Sequence, residues 1–314
     1  MRETLSPKEN YLEAIRFSRP QYVPMDCEEI WHAFQFEGNF SMDDWTDAWG
    51  VQWKVGIEGT VPFPKVNPLG DLDRLADYRF PDPADLLLTD RMRAELAGVD
   101  QGRKLVMGQL TYLLFERAWA LMGMNEFLMA LATRPAEAHA LLHGIADYDR
   151  RVFARYIELG VDGVGFSEDL GTQAALMVSP AMFREFLLPE YAHIFGPVLR
   201  AGKIIHFHSC GCVDAIAPDL AGIGVTILNP VQASANDLVG LKRDTFGRMA
   251  LHGGISSALL ESGAPGEVRA EVERVMGILK PGGGYVCGPD QYLPTFRREN
   301  VEALWNAARE FGGY

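Results

Sequence analysis

Lys203-Ile-Ile-His-Phe-His-Ser-Cys-Gly-Cys212 is a short apolar strand that runs straight into closely spaced metal-ligating side chains. His208 and Cys210 stand two residues apart, so on extended backbone their side chains leave on the same side and can share one ion. Imidazole and thiolate together are ligands that zinc prefers. A second cysteine in the same setting, Cys287 of Gly282-Gly-Gly-Tyr-Val-Cys-Gly-Pro289, is the candidate third ligand. Three protein ligands leave one position open, the arrangement of a catalytic zinc. Cysteine is otherwise a common small core residue, so the weight lies in how often this strand pattern recurs.

It recurs along the whole chain. Apolar runs at Tyr22–Asp26, Lys104–Gln109, Gly163–Glu168, Lys203–His208, Val225–Asn229, Met249–His252 and Tyr285–Cys287 each end in polar or glycine residues and lead into helical sequence. Strands alternating with helices pair in parallel through crossovers. The helices carry their own signals: Ser179-Pro180 is an N-cap with proline in the first turn. Val268, Val272, Val275, Met276 and Leu279 recur at helical spacing before Pro281-Gly-Gly-Gly284, and Arg298 opens a closing helix. About eight such units in one chain predict a single (β/α)8 TIM barrel over residues 1–314 rather than a doubly wound sheet.

In a barrel the strand ends converge on one mouth, where the active site lies. Those ends here are Asp26 and Glu28, Gln109, Glu168 and Asp169, His208 and Cys210, Asn229 and Gln232, His252, and Cys287 with Asp290. Glu168 and Asp169 are candidate catalytic residues, as fourth ligand, proton donor or orienter of a ligating histidine, and His252 is a third, as an acid/base or a core polar residue. Gln109, Asn229 and Gln232 suit hydrogen bonding to a substrate. His206 shares the strand face of His208, and Cys212, read alone, is a further thiol able to join the cluster. Trp31, Phe34, Phe36, Trp45, Trp49 and Trp53 crowd residues 1–80 and are expected in a segment that covers the barrel mouth or packs locally.

The 314 residues, 48% of them hydrophobic with a mean hydropathy of -0.04, are enough for a full core. Four cysteines make no disulfide framework and suit a reducing compartment. The polar N-terminus lacks a signal-peptide pattern and no apolar stretch is long enough for a bilayer, so a cytoplasmic protein is expected. A net charge of -13 without clustered Lys and Arg argues against nucleic acid.

Several motifs in order give the chain a recognisable likeness. Ser6-Pro-Lys-Glu-Asn-Tyr-Leu-Glu-Ala-Ile-Arg-Phe-Ser-Arg-Pro20, Phe115-Glu-Arg-Ala-Trp-Ala-Leu-Met-Gly123, Gly163 to Gln173, Leu228-Asn-Pro-Val-Gln232, Leu251-His-Gly-Gly254 and Pro281-Gly-Gly-Gly-Tyr285 resemble the uroporphyrinogen decarboxylase superfamily, within it the cobalamin-dependent methyltransferases. The true decarboxylases carry an arginine-rich segment near the N-terminus, where this chain has the acidic Pro24-Met-Asp-Cys-Glu-Glu-Ile-Trp31. The zinc-dependent branch carries His-x-Cys and a later Cys, and the resemblance implies zinc at His208, Cys210 and Cys287. It further implies methyl transfer to or from a corrinoid, with zinc activating a thiol acceptor or polarising an O-, N- or S-methyl donor. No corrinoid-binding Asp-x-His-x-x-Gly module is present, so methylcobalamin is expected on a partner protein. The remaining alternatives are a decarboxylase-type lyase and a non-catalytic barrel that binds a small molecule; a homodimer is compatible with either.

Overall fold

The computed structural model describes residues 4–28, 30–35, 41–56, 61–86 and 89–314. Among the described residues ten strands are present: β1 (Trp31–Gln35), β2 (Trp45–Thr46), β3 (Gln52–Lys54), β4 (Phe63–Val66), β5 (Leu105–Leu110), β6 (Gly163–Ser167), β7 (Ile204–His208), β8 (Ile227–Asn229), β9 (Ala250–Ile255) and β10 (Tyr285–Pro289). Seven form one sheet in the order β1-β5-β6-β7-β8-β9-β10, all pairs parallel. Met25 makes a parallel bridge to Cys287, and the Cys287 N–H donates to Pro24 O at 2.8 Å. The chain just before β1 thus lies against β10, at the far edge of the ladder from β1 itself. Only a short turn separates the two, so the sheet must curl until its edges meet, giving a (β/α)8-type barrel.

The expected strand at Tyr22–Asp26 is corrected by this geometry. It supplies only that bridge and one from Tyr22 to Gly313, because Pro24 has no N–H to give a ladder and Asp26–Glu28 turns into a 3-10 helix. The continuous strand forms later, at β1. The other expected strands are all present with shifted ends. β9 and β10 run past His252 and Cys287 to Ile255 and Pro289, so those two residues lie within strands rather than at their ends.

Alternation along the strands sorts the core into two layers. Ile30, Leu105, Met107, Ile204, Ile227, Ala250 and Val286 fill the barrel interior, closed by Tyr11 and Ile15 of the helix Pro7–Ile15. Each of these leucine, isoleucine, methionine and valine side chains contributes about 1.5–3 kcal/mol by burial. The opposite faces, including Val106, Phe166, Ile205, Phe207, Leu251, Tyr285 and Cys287, pack under the helices. Ser179 caps a helix that passes from Pro180–Met182 through a π-helical turn at Phe183–Leu187 into Leu188–Arg200, where Pro189 withholds an N–H from the regular ladder. The helices Pro265–Leu279 and Arg298–Phe311 form as expected.

The aromatic-rich segment does more than cover a mouth. Trp31 begins a barrel strand, Trp45 and Trp53 belong to a second sheet, β2-β3-β4, and Trp49 and Trp53 are buried in the main core. Phe36 lies outside the described residues. Among the described residues no helix is long and apolar enough to cross a membrane.

Candidate metal centre

Two neighbouring loops build the site. The loop after β7 carries Cys210 and turns at Gly211, whose φ is +85°, while a Cβ at Gly211 would overlap the backbone of Gly171 in the loop after β6. Only glycine allows that approach, and it brings Asp169 beside the ligand loop. The Cys210 N–H donates to Asp169 Oδ1 at 2.8 Å. Cys210 Sγ lies 3.6 Å from His208 Nε2, which in turn is 3.8 Å from Asp169 Oδ1. One ligand atom from each of Asp169, His208 and Cys210 lies within 4.8 Å of the others, all three side chains being partly accessible.

Asn229 decides what His208 can do. Its Oδ1 accepts a hydrogen bond from His208 Nδ1 at 2.8 Å, so the ring proton sits on Nδ1 and the Nε2 lone pair faces Cys210 and Asp169, the tautomer a metal requires. Asn229, expected to meet substrate, therefore orients the His208 ring. Gln232 is also spent on the loop: its Oε1 accepts from Gly211 N at 2.7 Å and from Gln173 Nε2 at 3.0 Å. Asn236, which the sequence did not single out, ties the same loop down through Val213 N and Gly211 O. Burial and the neighbouring Asp169 carboxylate push the Cys210 thiol up to about 12.

Cys287 is not brought to this group. Residues on β10 alternate, Val286 facing the barrel interior and Cys287 the helix layer beside Tyr285, where it is fully buried. Burial pushes its thiol up to about 12 as well. Asp169 stands where the sequence placed a second cysteine.

Glu168 is drawn away from the mouth. Its carboxyl is fully buried, accepts from Phe115 N and Glu116 N at the start of the helix Leu114–Met122, and receives the Tyr191 hydroxyl, so it acts as that helix's cap. Gln109 remains in the barrel and lines a small cavity with Ser167, His206, His208 and Trp31. His252 faces a larger cavity of about 580 Å³ that His208 also lines.

A family model described as uroporphyrinogen decarboxylase (URO-D) matches residues 88–311. The chain belongs to the uroporphyrinogen decarboxylase family. Among solved structures, a methyltransferase from Methanosarcina mazei superposes with a TM-score of 0.75 at 17% identity, covering 98% of this chain and 99% of that one. A B12-independent methionine synthase from Shewanella sp. W3-18-1 gives 0.50 at 12% identity over 74% of this chain and 66% of that one. At such identities the likeness is one of fold. No curated protein matches the chain in sequence.

In this member of the uroporphyrinogen decarboxylase family a further carboxyl, Glu116, borders the site. Nothing in Phe115-Glu-Arg117 marks it out, since its surroundings come from the loop after β6. Burial first, then the charges of Asp169 and Glu168, push it up to about 8, and burial pushes Glu168 to about 7. Both exceed the ordinary 4.5, so the folded protein holds protons that the unfolded chain has already released. This stability is full below pH 4.5 and is lost as pH rises through about 7 and 8, by about 1.4 kcal/mol per pH unit for each group. Urea unfolding of chelator-treated Glu116→Gln is expected to match wild type at pH 5 and exceed it at pH 8; an unchanged pH slope would refute the assignment.

Proposed function

We propose that the protein is a zinc-dependent methyltransferase that moves a methyl group between a small molecule and a corrinoid carried by a partner protein. The observation that carries this reading is the convergence of Asp169, His208 and Cys210 with the His208 tautomer set by Asn229. One nitrogen, one sulfur and one oxygen donor fit zinc, with a fourth position left for substrate. Zinc there would supply a Lewis acid able to lower the pKa of a thiol acceptor or to polarise the heteroatom of a methyl donor.

The chain's own residues do the rest. Asn229 holds the His208 ring, and Gln232 with Asn236 fixes the turn that presents Cys210. The cavity beside His208 holds the small molecule. A decarboxylase acting on a polycarboxylate is disfavoured, since no lysine or arginine is among the described residues lining that cavity.

Purified protein supplied with zinc, methylcobalamin and a thiol is expected to yield the methyl thioether; a zinc-loaded protein that transfers nothing from any methyl-corrinoid or to one would overturn the reading. Changing Asn229 to Leu removes the acceptor on Nδ1, and zinc affinity is expected to fall about 10–100-fold. Competition against a chromophoric chelator measures it, and an unaltered affinity would show that Asn229 does not position the ligand.

A further inference from the structure

The floor of the 580 Å³ cavity has a chemistry of its own, separate from the metal ligands. Asp26 reaches into it because β10 has Gly288 at that point; a Cβ there would overlap Asp26 Oδ2. One oxygen, Oδ1, stands in close contact with His252 Nε2 without a well-directed hydrogen bond. The other, Oδ2, accepts a long hydrogen bond from Tyr292 at 3.3 Å. His206 Nε2 lies 3.4 Å from His252 Nδ1 on the same floor.

Aromatic side chains complete the floor. Trp31 meets the His206 ring edge-on at 4.7 Å and Tyr11 at 6.3 Å. Tyr11 is 3% exposed and lines the cavity, and among the described residues its hydroxyl oxygen keeps a lone pair open to a donor. A buried hydroxyl with unspent capacity is costly in an empty fold and is suited to a ligand. Asp290, the second carboxylate of the lining, accepts from Ser257, and no lysine or arginine is among the described residues lining the cavity. Carboxylate, indole and phenol together favour an ammonium group, while an anion meets two carboxylates with no lysine or arginine in the lining to offset them.

We propose that this floor recognises the positively charged amine end of a small substrate, through Asp26, Tyr11 and Trp31. The proposal rests on methyl transfer for the role of the other end, the heteroatom that faces His208 and Cys210, but the floor binds without the metal.

Calorimetric titration of the chelator-treated and the zinc-loaded protein with butylamine, butanol and butyrate tests it. Butylamine is expected to bind in both states at least tenfold more tightly than butyrate, with butanol between them. Asp26→Asn should erase the advantage of the amine, a loss of tenfold or more for a hydrogen bond to a charged group. Tyr11→Phe, which keeps the packing, should weaken the amine about three- to tenfold. Butyrate binding as well as butylamine, or an amine preference that survives both substitutions, would overturn the proposal. Zinc content, measured on the same samples, separates that failure from a failure of the methyl-transfer reading.

Discussion

Asp47→Ala is expected to cost about 3–5 kcal/mol or more of folding stability, the largest loss from any single side chain described here. Asp47 lies in the turn between β2 and β3, and its Oδ1 accepts from Trp49 N at 3.0 Å and Val51 N at 2.9 Å. Its Oδ2 accepts from Trp53 Nε1 at 2.9 Å and pairs with Arg117 Nη1. Both charged side chains are 1% exposed. Arg117 also lies 5.0 Å from the Trp49 ring centre and 5.7 Å from that of Tyr112. Removing the carboxylate leaves a buried cation and three buried N–H groups without an acceptor, whereas Arg117→Met leaves the carboxylate its three donors and should cost less. Urea denaturation measures both. A loss below about 1 kcal/mol for Asp47→Ala would mean that this pair does not anchor the small sheet to the helix Leu114–Met122.

Cys210→Ala is expected to reduce methyl transfer on the order of a thousandfold, equivalent to about 4 kcal/mol of transition-state stabilisation from a lost Lewis acid. His208→Ala should do the same. Cys287→Ala should leave the rate within about threefold, because that thiol faces the helix layer and not the barrel mouth, and its cost belongs to packing, about 1 kcal/mol. Steady-state rates with methylcobalamin and a thiol separate the cases. Comparable losses for Cys210→Ala and Cys287→Ala would contradict the assignment of the ligands.

The barrel was legible because its signals are local. Runs such as Lys203–His208 and the helix Pro265–Leu279 announce themselves by periodicity and by flanking glycine and proline. The first strand misled because Tyr22–Asp26 has the right composition, yet Pro24 cannot complete a ladder, and the strand forms instead in Trp31–Gln35, where aromatic content reads equally well as a cover. His208 and Cys210 were legible as a pair, since spacing along an extended segment decides which side chains share a face. Cys287 was not: whether a strand residue faces the interior or the helices depends on register, and a one-residue difference reverses it. Asp169 was visible only as one acid among several at strand ends. Its place beside Cys210 depends on Gly211 meeting Gly171 across two loops. Glu116, Tyr11 and Asn236 carry no motif of their own and acquire meaning only from what lies opposite them.

The most direct test of the account is the metal content of the purified wild-type, Cys210→Ala and Cys287→Ala proteins after loading with zinc and removal of excess. One zinc per chain in wild type and Cys287→Ala, with none retained by Cys210→Ala, is the predicted result. Zinc lost from Cys287→Ala, or retained in full by Cys210→Ala, would contradict a centre built from Asp169, His208 and Cys210.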